Sequence, residues 1–105
     1  MYGFIVNQIS GNGKGLKVWQ KVETLLQEKR IHYQVRFTER PKHATEIAKE
    51  LSSRQCHAVI AIGGDGTVHE VANGLIGSNI PLGIIPGGSG NDLARALDIP
   101  ADYKK

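Results

Sequence analysis

The sequence predicts an α/β domain built on a parallel sheet with helices on both faces, and three observations carry that expectation. Short runs of β-branched and aromatic residues alternate four times with segments of helical apolar spacing. The runs are apolar at consecutive positions, as in strands covered on both faces. The 105 residues, 40% of them apolar, suffice for one core and are too few for two ordinary domains.

The first strand is read over residues 2–8, YGFIVNQ. Residues 16–29 follow as a helix, with Val18, Trp19, Val22, Leu25 and Leu26 on one stripe and Trp19 read as core rather than as a platform for a ligand ring. HYQVRFT, residues 32–38, is a second strand; after Pro41, helical spacing returns at Ala44, Ile47, Ala48 and Leu51. AVIAI, residues 58–62, is the third strand, and Val68, Val71, Ala72 and Leu75 line the helix after it. PLGIIP, residues 81–86, is the fourth, ahead of a helix over 93–97. No repeat, low-complexity tract or linker interrupts the four units, so residues 1–105 are read as one domain with right-handed crossovers.

Composition narrows the function classes. Thirteen Lys and Arg against ten Asp and Glu give +3, and a pI near 9.2 raises the question of nucleic acid. The basic residues are spread and interleaved with acids, as on solvated helix faces, so nucleic-acid binding is set aside. The one cysteine, Cys56, has no disulfide or zinc partner and is read as filler in a reducing cytoplasm. No signal-peptide pattern opens the chain, and no apolar run approaches the roughly 18 residues of a spanning helix. The histidines show no metal spacing; His43, His57 and His69 are assigned no special role, and neither is His32.

In parallel sheets ligands bind beyond the carboxyl ends of the strands, and glycine clusters follow strands one, three and four, at 11–15, 63–66 and 87–90. The first loop, NQISGNGKG, carries Asn7, Gln8, Ile9, Ser10, Gly11 and Lys14 ahead of a helix N-terminus, a natural anion site. It fits neither the P-loop nor the G-x-G-x-x-G pattern, and alone it also admits the reading of a flexible turn with an exposed lysine. In the second loop, Gly63, Gly64 and Gly66 allow a ligand close to the backbone, while Thr67 and Glu70 are spaced as a capping box. Asp65 sits where phosphate would be expected. It is either a turn residue or a carboxylate joined to phosphate through Mg²⁺, directly or by water, or taking up a hydroxyl proton. The third loop repeats the logic with Gly87, Gly88, Ser89, Asn91 and Asp92.

GGDGTVHEVANGL together with PGGSGNDLARAL resembles the N-terminal half of the diacylglycerol kinase catalytic domain, and a bacterial diacylglycerol- or sphingosine-kinase-like lipid kinase is suspected. Asn7 and Ser10-Gly11 match the opening Asn-Pro-x-Ser-Gly, KHATEIAKEL the helix after the second strand, and LDIPADY the segment leading out. The resemblance implies a fold like the N-terminal domain of NAD kinases and phosphofructokinases. It implies ATP and Mg²⁺ as ligands: residues 7–11 at the phosphates, Thr38 at the nucleotide, and the run 64–70, Val68 and His69 included, around the triphosphate. Ser89, with its flanking Gly87, Gly88, Asn91 and Asp92, lies nearby. Asp65 is the implied catalytic and metal-associated group, the metal held through water. Gln8 departs from the usual proline, and Ser89 from a common threonine.

Family members continue into a mainly β domain that supplies the lipid pocket and the catalytic base, so the expectation is an ATP-binding half with little turnover of its own. A lipid acceptor and peripheral membrane contact belong to the complete cytoplasmic protein on this reading, while the isolated chain is expected to self-associate through an apolar patch left where the second domain would dock. The rivals are an NAD-kinase-like phosphotransferase, a non-catalytic nucleotide-binding module with Glu39 at a ribose hydroxyl, and an interaction domain without ligand.

Overall fold

The computed structural model describes residues 1–8 and 10–86. Within them β1 (Tyr2–Val6), β2 (Tyr33–Phe37), β3 (Ala58–Gly63) and β4 (Leu82–Pro86) alternate with α1 (Ser10–Glu28), α2 (His43–Ser53) and α3 (Asp65–Leu75). The helix expected over 93–97 lies outside the described residues. The strands form one parallel sheet in the order β2-β1-β3-β4, with Tyr2 opposite both Tyr33 and Ala58, and Val59 opposite Leu82.

That order reverses direction at β1. The chain runs outward from β1 to β2 and then crosses back over β1 to β3 and β4. Crossovers of one hand taken in opposite directions leave their helices on opposite faces. This is the arrangement found: α1 covers one face, α2 and α3 the other.

The strands alternate at period two between those faces. Phe4, Val6, Ala58, Ile60, Ile62 and Ile85 meet Val18, Trp19, Val22 and Leu26 of α1. Ile5, Val59 and Ala61 meet Ala44, Ile47, Ala48 and Leu51 of α2 and Val71 and Leu75 of α3. Every residue of β3 is buried, which accounts for its unbroken apolar run. Trp19 is 3% exposed and packs edge-on to Tyr33, with ring centroids 5.6 Å apart, and against Phe4 at 5.2 Å. Each such large side chain contributes about 1.5–3 kcal/mol by leaving water. Cys56 is buried in the second cluster, where desolvation pushes its thiol pKa up, in keeping with filler. Between β2 and α2 Arg36 donates to Glu50 at 2.6 Å and holds that carboxyl below its ordinary range.

Two helix starts differ from the sequence expectation. Helical pairing in α1 begins at Ser10 rather than near Leu16, so most of the first glycine loop is the opening of the helix. Gly13 there keeps a φ of 91°, in the left-handed region that glycine enters freely. The third helix begins at Asp65 with Gly64 as its N-cap, and the Val68 N–H already donates to the Gly64 carbonyl at 3.1 Å.

The helices α2 and α3 cross closely because Gly74 has no side chain. A Cβ there would stand 2.5 Å from both the Thr45 carbonyl oxygen and the Ala48 Cβ. Gly74→Ala is therefore expected to lower stability by about 1–3 kcal/mol in a denaturant titration, although alanine is the better helix former by about 1 kcal/mol. An unchanged or raised midpoint would contradict this packing.

Candidate functional site

Every β3 side chain is committed to the core, so polar chemistry can begin only where the strands end. At their carboxyl ends, beside the point where the strand order reverses, lies a cleft of about 610 Å³. It is lined from three directions. Asn7 and Gln8 come from the end of β1; Thr38, Glu39, Arg40, Pro41 and Ala44 from the β2–α2 turn and the start of α2; Gly66, Thr67 and Glu70 from α3.

The wall between β1 and α3 is one hydrogen-bonded joint. The Asn7 backbone N–H donates to the Ile62 carbonyl at 2.9 Å, extending the β1–β3 pairing past the strand end. Its side-chain Nδ2 donates to Thr67 Oγ1 at 3.2 Å. Thr67 is 8% exposed and sits over Gly63, where a Cβ would come within 2.7 Å of its Oγ1. The capping box expected from Thr67 and Glu70 is thus not formed: the helix starts two positions before the threonine, no side chain caps it, and the Thr67 hydroxyl is engaged by Asn7. The Glu70 carbonyl instead accepts from Thr45 Oγ1 at 2.8 Å, tying α3 to α2 behind the cleft.

Uncapped first-turn N–H groups at Gly64, Asp65 and Gly66 form an anion-favouring lip, and all three residues are exposed. Asp65, as the first helical residue, is also well placed against the helix dipole, so its charge is tolerated there without a ligand. On α3, positions 66, 67 and 70 share the face toward the cleft. Val68 packs on the α2-side core and His69 is open to solvent, so the contiguous run read as ligand contact is divided by the helical period. Lys14 is exposed on α1. Ser10 and Gly11 belong to the opening of α1, while Ile9, Gly87, Gly88, Ser89, Asn91 and Asp92 lie outside the described residues.

Arg40, Pro41 and Ala44 line the cleft without having been singled out, and Glu39 had entered only as a ribose ligand for a dinucleotide. The turn that carries them has no glycine cluster, the signal that marked the other loops. It is nonetheless well tied. The Thr38 N–H donates to the Val6 carbonyl at 2.9 Å, the His43 N–H to the Arg40 carbonyl at 3.2 Å, and Arg40 pairs with Glu46 at 2.5 Å. Among the described residues no group of three His, Cys, Asp or Glu side chains could hold a metal ion.

The family model for the diacylglycerol kinase catalytic domain matches residues 1–105. Sphingosine kinase 1 of Rattus norvegicus is 39% identical over 111 residues, covering 96% of this chain and 28% of that protein. The diacylglycerol kinase of Bacillus subtilis (strain 168) is 51% identical over 61 residues, covering 56% of this chain and 20% of that protein. A crystal structure of a diacylglycerol kinase from Bacillus anthracis str. Sterne superposes with a TM-score of 0.79 at 28% identity, over 96% of this chain and 43% of that one. The NAD-kinase-like fold expected from the sequence is the fold of these neighbours. The chain spans about a third or less of the length of the curated relatives it matches.

The Asn7–Thr67 joint can be measured as a coupling. In a double-mutant cycle of Asn7→Ala and Thr67→Val the two changes are expected to be non-additive in unfolding free energy by about 0.5–1.5 kcal/mol. Additivity within about 0.3 kcal/mol would show that the two side chains do not act together.

Proposed function

The chain belongs to the diacylglycerol kinase catalytic domain family, and on that premise we propose that its cleft binds ATP with Mg²⁺ for phosphoryl transfer to a lipid hydroxyl. The supporting observation is the cleft itself. It lies beyond the strand ends at the reversal of strand order and gathers Asn7, Gln8, Thr38, Gly66, Thr67 and Glu70, all read from sequence as nucleotide contacts.

The residues present suit the ligands. A volume of about 610 Å³ is in the range of small-molecule sites. The uncapped α3 N-terminus offers backbone N–H groups to phosphate oxygens, and the glycines at 64 and 66 put no side chain in the way. Mg²⁺ commonly keeps several waters and takes one or two carboxylates plus substrate phosphates, so exposed Asp65 at the lip suffices without a three-residue cage. Bound there, the metal would neutralise charge on the triphosphate.

In phosphoryl transfer the protein mainly positions and stabilises charge. In this reading Asn7 holds Thr67 and so fixes where the α3 N–H groups point. The backbone N–H groups of Gly64, Asp65 and Gly66 receive the phosphates, Thr38 and the β2–α2 turn hold the nucleoside end, and the Asp65 carboxylate would hold the metal through water or assist proton removal from the acceptor hydroxyl. Lipid recognition and the general base are assigned to the part of the relatives that the match does not cover. Glu39, in the cleft directly after β2, also suits a ribose hydroxyl and makes NAD the informative competitor.

Titration of ATP with and without Mg²⁺ tests the proposal. The chain should bind ATP in preference to NAD, and Mg²⁺ should tighten binding. Asp65→Asn should lose most of that Mg²⁺-dependent gain, because a hard cation prefers charged oxygen, and should bind metal-free ATP equally or better once its repulsion with phosphate is gone. Matching curves for parent and variant would reduce Asp65 to a residue of the helix start; stronger binding of NAD than of ATP would overturn the nucleotide assignment.

A further inference from the structure

The β2 ladder ends at Thr38, whose N–H still reaches the Val6 carbonyl. The next amide, that of Glu39, has left the sheet and would ordinarily turn to water. It donates instead to Nδ1 of His43 at 2.9 Å, across a turn in which Lys42 adopts a φ of 67° and the His43 N–H closes back on the Arg40 carbonyl. One imidazole at the first position of α2 therefore fastens the backbone of the segment that supplies Thr38, Glu39, Arg40 and Pro41 to the cleft.

We propose that His43 is a positioning residue for the nucleotide: by accepting the Glu39 N–H at Nδ1 it holds the β2–α2 turn in the shape that forms one wall of the cleft. This rests on the nucleotide reading of that cleft. Acceptance at Nδ1 requires the ring proton on Nε2. The lysine at 42 adds to the need for such a fastener, because a left-handed conformation at a residue with a Cβ costs energy and persists only where its surroundings hold it. The effect runs through backbone placement, so it belongs to affinity for the nucleotide and not to the phosphate lip, which α3 carries on the other side of the cleft.

The side chain of asparagine carries its carbonyl oxygen where histidine carries Nδ1, so His43→Asn keeps the acceptor and His43→Ala removes it. The parent chain and both variants are titrated with ATP and MgCl₂, and amide hydrogen exchange is followed at Glu39 and in β3 without ligand. The Glu39 amide should be protected in the parent and in His43→Asn and fast in His43→Ala, with β3 equally protected in all three as the check on folding. ATP should bind His43→Asn within about twofold of the parent and His43→Ala about three- to tenfold more weakly, the loss of one modest hydrogen bond. Unchanged exchange or unchanged affinity in His43→Ala overturns the proposal while the nucleotide reading stands. So does a loss in His43→Asn as large as that in His43→Ala. A parent chain that binds no nucleotide, with β3 protected, overturns the nucleotide reading and this role together.

Discussion

At the end of β3, α3 turns back so tightly that Thr67 rests directly on Gly63, and no residue with a Cβ fits at that position without moving the threonine. Much of the site follows from this contact. Thr67 is buried and cannot serve as a cap, so Gly64 takes that place and the helix opens with three exposed residues and free N–H groups. The hydroxyl of Thr67 meets Asn7, which joins the ends of β1 and β3 across the reversal of strand order. A single missing methyl group thus sets the position of the phosphate-facing lip relative to the sheet.

The core and the cleft divide the work. Two apolar layers, α1 on one face and α2 with α3 on the other, cover the sheet and leave β3 no polar side chain, while the half-buried edge strand β2 pairs its Arg36 with Glu50. Stability is concentrated there. The chemistry is carried by segments one to seven residues beyond the strand ends, where backbone groups released from the ladder are taken up by side chains, by helix starts or by ligand. The three walls of the cleft do this differently: Asn7 uses its amide, the α3 start leaves its N–H groups uncapped, and the β2–α2 turn gives the Glu39 N–H to His43.

The inner strands and the core stripes were legible in the sequence because burial on both faces demands apolar residues at nearly every position, a demand that YGFIV and AVIAIG meet, whereas YQVRF, half-buried at the sheet edge, was legible through its β-branched and aromatic residues. Trp19 was legible as core from the helical stripe it shares, and Cys56 as filler from its lack of a disulfide or zinc partner; both are buried. Glycine clusters marked the α3 lip, and Asn7, Thr38 and Glu70 came from the family resemblance. The helix starts were harder. A glycine-rich stretch without proline can be loop or helix, and the Ser10–Gly15 run is settled by pairing that sequence spacing does not show. Thr67 and Glu70 have capping-box spacing, yet the long-range contact with Asn7, 60 residues away, prevails over the local pattern. The β2–α2 turn stayed hidden since its order comes from one imidazole and one ion pair rather than from glycines, and a histidine four residues after a glutamate carries no distinguishing signal in one sequence.

Placement of the ligand chemistry at the carboxyl ends of the strands is tested most directly by mapping backbone amide shifts on addition of ATP and Mg²⁺. The largest changes should fall at Asn7 and Gln8, at Thr38 to Arg40, and at Gly64 to Glu70. The opposite edge, where Arg30, Ile31, His32 and Tyr33 border a second depression, should stay unmoved. Shifts centred on that second group, with Asn7 and Gly64 to Thr67 unaffected, would contradict the account.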